Sequence, residues 1–144
     1  MKDNILQELA SLFFSTRQII RGKLPEGKAD PNAWLRFQTM RYIQDADGPT
    51  MHDVASYLRI KAPSATSLIA YLVRHGSVRR VAGKDKRVTR LYLTPQGKKF
   101  LAAHQRRSNT TMREVFSEFS ITDVHELVRI LRHLRDIHGT DMQG

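Results

Sequence analysis

At 144 residues, 40% hydrophobic and 26% charged, the chain is long enough for one well-buried core and reads as a single domain, residues 1–144. It contains no cysteine, which excludes disulfides, thiol-based redox sensing and cysteine-containing metal sites. The net charge of +10 is concentrated: from Lys61 to Arg107 there are twelve Lys and Arg against one acid, Asp85, so the remainder is close to neutral.

Lys2, Asp3, Gln7 and Glu8 interrupt any apolar run at the start, so no signal peptide is expected. No run is long enough to span a membrane, and a cytoplasmic protein with no membrane partner is expected. Residues 3–21 place Ile5, Leu9, Leu12, Phe13, Ile19 and Ile20 at helical spacing. Gly22, Pro25 and Gly27 should break that helix, and Asp30-Pro31 should restart one as N-cap and first helical residue. The second helix carries Trp34, Leu35, Phe37, Met40, Tyr42 and Ile43 and should stop before Asp47-Gly48-Pro49.

Thr50 and Asp53 have capping-box spacing ahead of a short helix whose Val54, Ala55 and Leu58 face inward. After a turn through Arg59, Ile60 and Lys61, Pro63 opens another helix, over about 62–75, ending at His75-Gly76, where Gly suits a left-handed cap. Strand-like alternation follows in Val78–Val81 and Val88–Leu93 around the cationic tip Gly83-Lys84-Asp85-Lys86-Arg87. Thr94-Pro95 should cap a long helix carrying Phe100, Leu101, His104, Met112 and Phe116. A break at Ser120–Thr122 precedes a last helix with Val124, Leu127, Val128, Leu131 and Leu134 on one face.

Six helices and one hairpin carry more apolar stripes than a compact monomer of this length needs. The first helix and the last two are therefore expected to pack together and against a second copy. The fold class expected is mainly α with a small β-hairpin wing: a winged helix-turn-helix core over about residues 32–94, with dimerisation helices at about 3–21 and 95–140.

Charge confined to one block favours a polyanion over general solubility. Anionic lipid fits less well, because no long helix there sets a Lys/Arg face against a Trp/Phe/Leu face. Wound at about 100° per residue, the helix from Pro63 buries Ala65, Leu68, Ile69 and Leu72. Pro63, Ser67, Ala70 and Arg74 then point outward, with Ser64, Thr66 and Tyr71 on the flanks. Small outward residues let a backbone approach base edges, and Ser and Thr hydroxyls donate or accept there. Lys61 precedes the helix N-terminus, where phosphate meets a favourable dipole. Lys84, Lys86 and Arg87 at the tip, with Arg79, Arg80 and Arg90 on the stems, make a narrow cationic finger suited to the minor groove. Asp85 is expected to hold Arg87, or a turn amide, and so fix the arginine's direction.

The run Val54-Ala55…Leu58-Arg59-Ile60…Ser64-Ala65-Thr66-Ser67-Leu68-Ile69…Leu72…Gly76, with Asp85-Lys86-Arg87 and Leu91-Tyr92-Leu93-Thr94-Pro95-Gln96-Gly97, resembles the MarR family of bacterial transcriptional regulators. The Asp-x-Arg tip and the closing Leu-Thr-x-x-Gly are its most specific marks, and the likeness is close over residues 50–97. It implies a homodimer with one winged helix per protomer on a pseudo-palindromic operator of double-stranded DNA, most often as a repressor. Ser64, Thr66 and Ser67 match base-proximal positions, and Asp85 and Arg87 match the wing pair. Ser67 stands where the family often has Arg, and Ala70 where it often has an acid. Wing contacts and DNA shape then carry more of the specificity.

The resemblance also implies release by a small, often phenolic or anionic, effector. Phe13, Phe14, Arg17, Trp34, Phe37 and Arg41 are aromatic and cationic candidates for its pocket, although Trp34 and Phe37 equally suit a helix core. No cofactor is expected. His133 and Asp136, with His138 and the lone His104, lack convincing metal-ligand spacing. No phosphate-cradling Gly loop, nucleophile elbow or zinc-hydrolase signature is present, so an enzyme is not expected. The alternative is a non-specific or architectural DNA-binding protein without ligand response.

Overall fold

The computed structural model describes residues 1–24 and 32–139. In chain order the elements are α1 (Asp3–Lys23), α2 (Ala33–Ala46), α3 (Met51–Leu58), α4 (Ala62–Arg74), β1 (Val78–Ala82), β2 (Thr89–Leu93), α5 (Pro95–Val115) and α6 (Ile121–His138). Two compact units are distinguishable, Met1–Asn109 and Thr110–Gly144, and α5 crosses their boundary.

Helix α1 runs through Gly22 rather than stopping there. A single exposed glycine costs a helix only about 1 kcal/mol, too little to end one alone. The expected breakers Pro25 and Gly27, and the Asp30-Pro31 restart, lie outside the described residues. Among these, α2 begins at Ala33 behind Asn32, which makes no side-chain cap, and ends on Asp47 in the left-handed region at φ 51°. α3 opens with the expected capping box: Thr50 Oγ1 accepts from the Asp53 amide at 3.2 Å, and Asp53 Oδ2 accepts from the Thr50 amide at 2.9 Å. That amide, donating to the carboxylate, holds Asp53 below the ordinary carboxyl pKa.

The core of the first unit joins α2, α3, α4, the hairpin and the start of α5. Met40, Ile43, Val54, Ile69, Leu72, Val78, Leu91, Leu93 and Leu101 form it, with Phe37, Tyr42, Met51, Leu58, Tyr71 and Val73 packed against it. Each large apolar side chain so buried contributes about 1.5–3 kcal/mol, and the two-stranded hairpin, marginal alone, depends on that cluster.

The strands pair antiparallel in the register Val78↔Leu93 to Ala82↔Thr89. The base of the hairpin is tied to the α2–α3 turn: the Leu91 amide donates to Pro49 O at 2.9 Å, and Thr50 bridges to Arg90.

The end of α4, the foot of the hairpin and the start of α5 meet in one hydrogen-bonded joint. Gly76, at φ 75°, lets the Ser77 amide reach back to Leu72 O at 2.9 Å and its own amide reach Val73 O at 3.0 Å, a Schellman closure. The Thr94 amide donates to Ser77 O at 3.0 Å, Thr94 Oγ1 donates to Gly76 O at 2.5 Å, and the Gly97 amide donates back to Thr94 Oγ1 at 3.0 Å. A Cβ on Gly97 would collide with the Ser77 carbonyl, so the Leu-Thr-x-x-Gly spacing is a packing requirement.

In the second unit, Ser120 and Asp123 form a capping box. The helix therefore starts at Ile121, inside the stretch where a break was expected, because Ser120 supplies a complete cap. Neither α1 nor α6 has a buried residue. Ile5, Leu9, Leu12 and Phe13 on α1, and Leu127, Val128, Leu131 and Leu134 on α6, are each exposed by 38–53%. Among the described residues no helix is long and apolar enough to cross a membrane.

Candidate nucleic-acid interface

Helix α4 starts one residue earlier than Pro63, at Ala62, with extended Lys61 as N-cap and Pro63 in the first turn. The proline fixes φ where no intrahelical amide bond is lost. Ala65, Leu68, Ile69 and Leu72 are buried, as their spacing requires. Pro63, Ser64, Thr66, Ser67 and Arg74 lie exposed, whereas Ala70 is half-buried rather than fully outward.

The hydroxyls differ in what they offer. Thr66 Oγ1 donates to Ala62 O at 2.9 Å, so toward a ligand it remains an acceptor. Ser64 and Ser67 make no side-chain hydrogen bond to a described residue and keep both donor and acceptor capacity. Arg74 lies 6.0 Å from the centre of the Tyr71 ring, over which Arg36 stacks at 3.7 Å.

The wing tip is a closed turn. The Gly83 amide donates to Val88 O at 2.8 Å and the Val88 amide to Asp85 O at 2.9 Å. Asp85 Oδ1 accepts from the Arg87 backbone amide at 3.1 Å. Of the two roles expected for that carboxylate, this is the turn-amide one: it shapes the chain beneath Arg87 rather than pairing with the guanidinium. Lys84, Lys86 and Arg87 are exposed around it.

On the stems, Arg79 lies over the Tyr92 ring at 5.1 Å. Arg90 Nη1 donates to Gly48 O at 2.9 Å, so this arginine also fastens the wing to the α2–α3 turn. That carbonyl is 42 residues away in the chain, and no short-range pattern pointed to it.

The expected effector residues do not converge. Phe13 and Arg17 lie exposed on α1, and Trp34 is 53% exposed. Arg41 sits on the outside of α2 at 4.0 Å from Asp45. Of these residues, Phe37 alone lines a cavity of about 290 Å³ between α2, α4 and the start of α5. Its apolar wall includes Met40, Leu72 and Phe100, and Arg36, His75 and Gln96 supply polar groups. Phe37 stacks on Phe100 at 5.4 Å, and Tyr71 on His75 at 3.9 Å. Arg36 and His75 were missed because spacing within one helix does not say which neighbouring helix a side chain will face.

A helix with a small exposed face, followed by a closed cationic hairpin on the same core, defines the winged helix-turn-helix class. Residues 32–88 match the sequence model described as MarR family. The fold extends the likeness over nearly the whole chain. A MarR family protein from Bacillus stearothermophilus superposes with TM-score 0.78 at 20% identity, covering 96% of this chain and 99% of that one. A mutant MarR from E. coli complexed with operator DNA gives TM-score 0.73 at 21% identity, over 91% and 96%. Streptococcus pneumoniae FabT in complex with DNA gives 0.71 at 22% identity, over 96% and 97%. No curated protein matches the sequence. The match to the MarR family model thus covers the winged-helix lobe, and over the rest of the chain the likeness is one of fold.

Proposed function

We propose that this protein is a DNA-binding transcriptional regulator that acts as a repressor, binding a pseudo-palindromic operator as a homodimer. One observation carries the reading: the acid-free, small-residue face of α4 and the Asp85-shaped cationic tip stand on one lobe with a shared core. Lys61, Pro63, Ser64, Thr66, Ser67 and Arg74 supply the groove and phosphate contacts of the helix. Arg79, Lys84, Lys86, Arg87 and Arg90 supply those of the wing, with Arg90 also bracing it. Relatives of the same fold bound to DNA support the assignment.

The lobe spans about residues 32–94, and the helices at about 3–21 and 95–140 form the dimer base. Support for pairing comes from the apolar faces of α1 and α6, too extensive to stay in water on a monomer. The cavity beside Phe37 takes a small phenolic or anionic effector, whose ring meets Phe37, Met40, Leu72 and Phe100 while His75 and Arg36 face its polar group.

Selection of bound duplexes from a random pool tests the core of this. A twofold-symmetric motif with half-sites about one helical turn apart is expected. Equal retention of scrambled duplex, with affinity falling steeply in salt, would instead identify a non-specific binder. Removal of residues 1–20 should yield a monomeric or poorly soluble product by sedimentation; a stable dimer after that cut would overturn the proposed base.

A further inference from the structure

Arg59 stands where side chain and backbone disagree. It caps the C-terminus of α3 in the left-handed region, at φ 55° and ψ 46°, its amide donating to Ala55 O and Ser56 O. Among the described residues only Asp47 shares this conformation without being glycine. Aspartate tolerates it, because a short polar side chain bonds locally; a long side chain crowds its own backbone, and glycine or asparagine ordinarily fills such a cap.

The backbone capping bonds would form equally with glycine or asparagine there, so they do not account for an arginine. Arg59 is exposed, and its guanidinium makes no hydrogen bond, ion pair or ring contact with a described residue. Its setting points outward to an anion. It lies two residues before Lys61, the N-cap of α4, and five before exposed Ser64, and no acid occurs from Val54 to Lys84. The capping bonds of its amide fix the direction in which the side chain leaves the turn.

We infer that Arg59 is a phosphate anchor. Its planar fork takes a DNA backbone phosphate beside the groove that α4 enters, and the strained cap persists because it presents that fork. Such a contact sets the register of α4 without reading sequence. The inference rests on the proposal that this lobe binds duplex DNA.

The test uses the full chain carrying Arg59→Gly, Arg59→Asn or Arg59→Lys, on the selected operator duplex and on a scrambled one. Glycine and asparagine relieve the backbone, so both should raise Tm, by about 1–4 °C. Both should also weaken binding to the two duplexes by the same factor. They should reduce the slope of log K against log salt by about 0.9 per lost phosphate contact, or about 1.8 for a dimer on both half-sites. Lysine should keep most of the slope at unchanged or lower Tm.

Unchanged affinity and slope in the glycine and asparagine variants would overturn the anchor. So would a loss confined to the operator, which would mark base readout instead. A fall in Tm for both would overturn the strain argument. A wild-type protein that binds neither duplex would refute the DNA-binding proposal itself, and the anchor with it.

Discussion

Removing the single acid of the wing should weaken DNA binding although it makes the tip more positive. Asp85 Oδ1 accepts from the Arg87 amide at 3.1 Å on an exposed turn. A bond of this kind contributes about 0.5–1.5 kcal/mol net, and without it the tip samples conformations in which Arg87 is misdirected. The opposing gain is smaller. A carboxylate about 10 Å from a phosphate costs about 0.4 kcal/mol in water. Screening with a Debye length of about 8 Å reduces that further. Asp85→Ala should therefore lose about 0.5–1 kcal/mol per wing, roughly 5–30-fold in Kd for a dimer using both. Asp85→Asn keeps an oxygen acceptor and should bind within about twofold of wild type, or slightly tighter. Fluorescence anisotropy on the selected duplex at about 0.15 M salt measures all three proteins. Tighter binding by Asp85→Ala, or equal weakening in Ala and Asn variants, would refute the turn-shaping role.

Arg87→Ala should cost about 1–3 kcal/mol of binding with unchanged thermal melts; unaltered affinity would contradict a groove contact. Gly97→Ala inverts the usual helix preference for alanine, because the new methyl meets the Ser77 carbonyl. A loss of about 1–3 kcal/mol in urea unfolding is expected, and a gain would show that the joint yields freely. Asp53 has its pKa lowered chiefly by the Thr50 amide, so its contribution to stability is complete above the unfolded value and is lost as pH falls through the folded one. Asp53→Asn should flatten the acid side of the urea-midpoint profile below about pH 4; an unchanged profile would count against it.

The reading lobe was legible because its constraints are local. Thr50 with Asp53, the burial period of Ala65, Leu68, Ile69 and Leu72, and Gly76 at a helix end each act within a turn or two of chain. Leu-Thr-x-x-Gly was recognisable as a motif, but its cause, contact between Gly97 and the Ser77 carbonyl, is tertiary. What escaped was set by partners distant in sequence or by backbone that side-chain chemistry conceals. Arg90 looked like one more stem cation and holds Gly48 O. A turn through Arg59 was expected, but not its left-handed backbone, because Leu58-Arg59-Ile60 contains no glycine or asparagine to announce one. The cavity beside Phe37 draws on three helices, and a periodicity argument treats one at a time.

The knot of Gly76, Ser77, Thr94 and Gly97 leaves no slack between the parts it fastens. On the proposed reading, a twist delivered through the opening turn of α5 should move the exposed rod and the basic finger together. Its hold on an operator should accordingly switch as a unit rather than fade contact by contact.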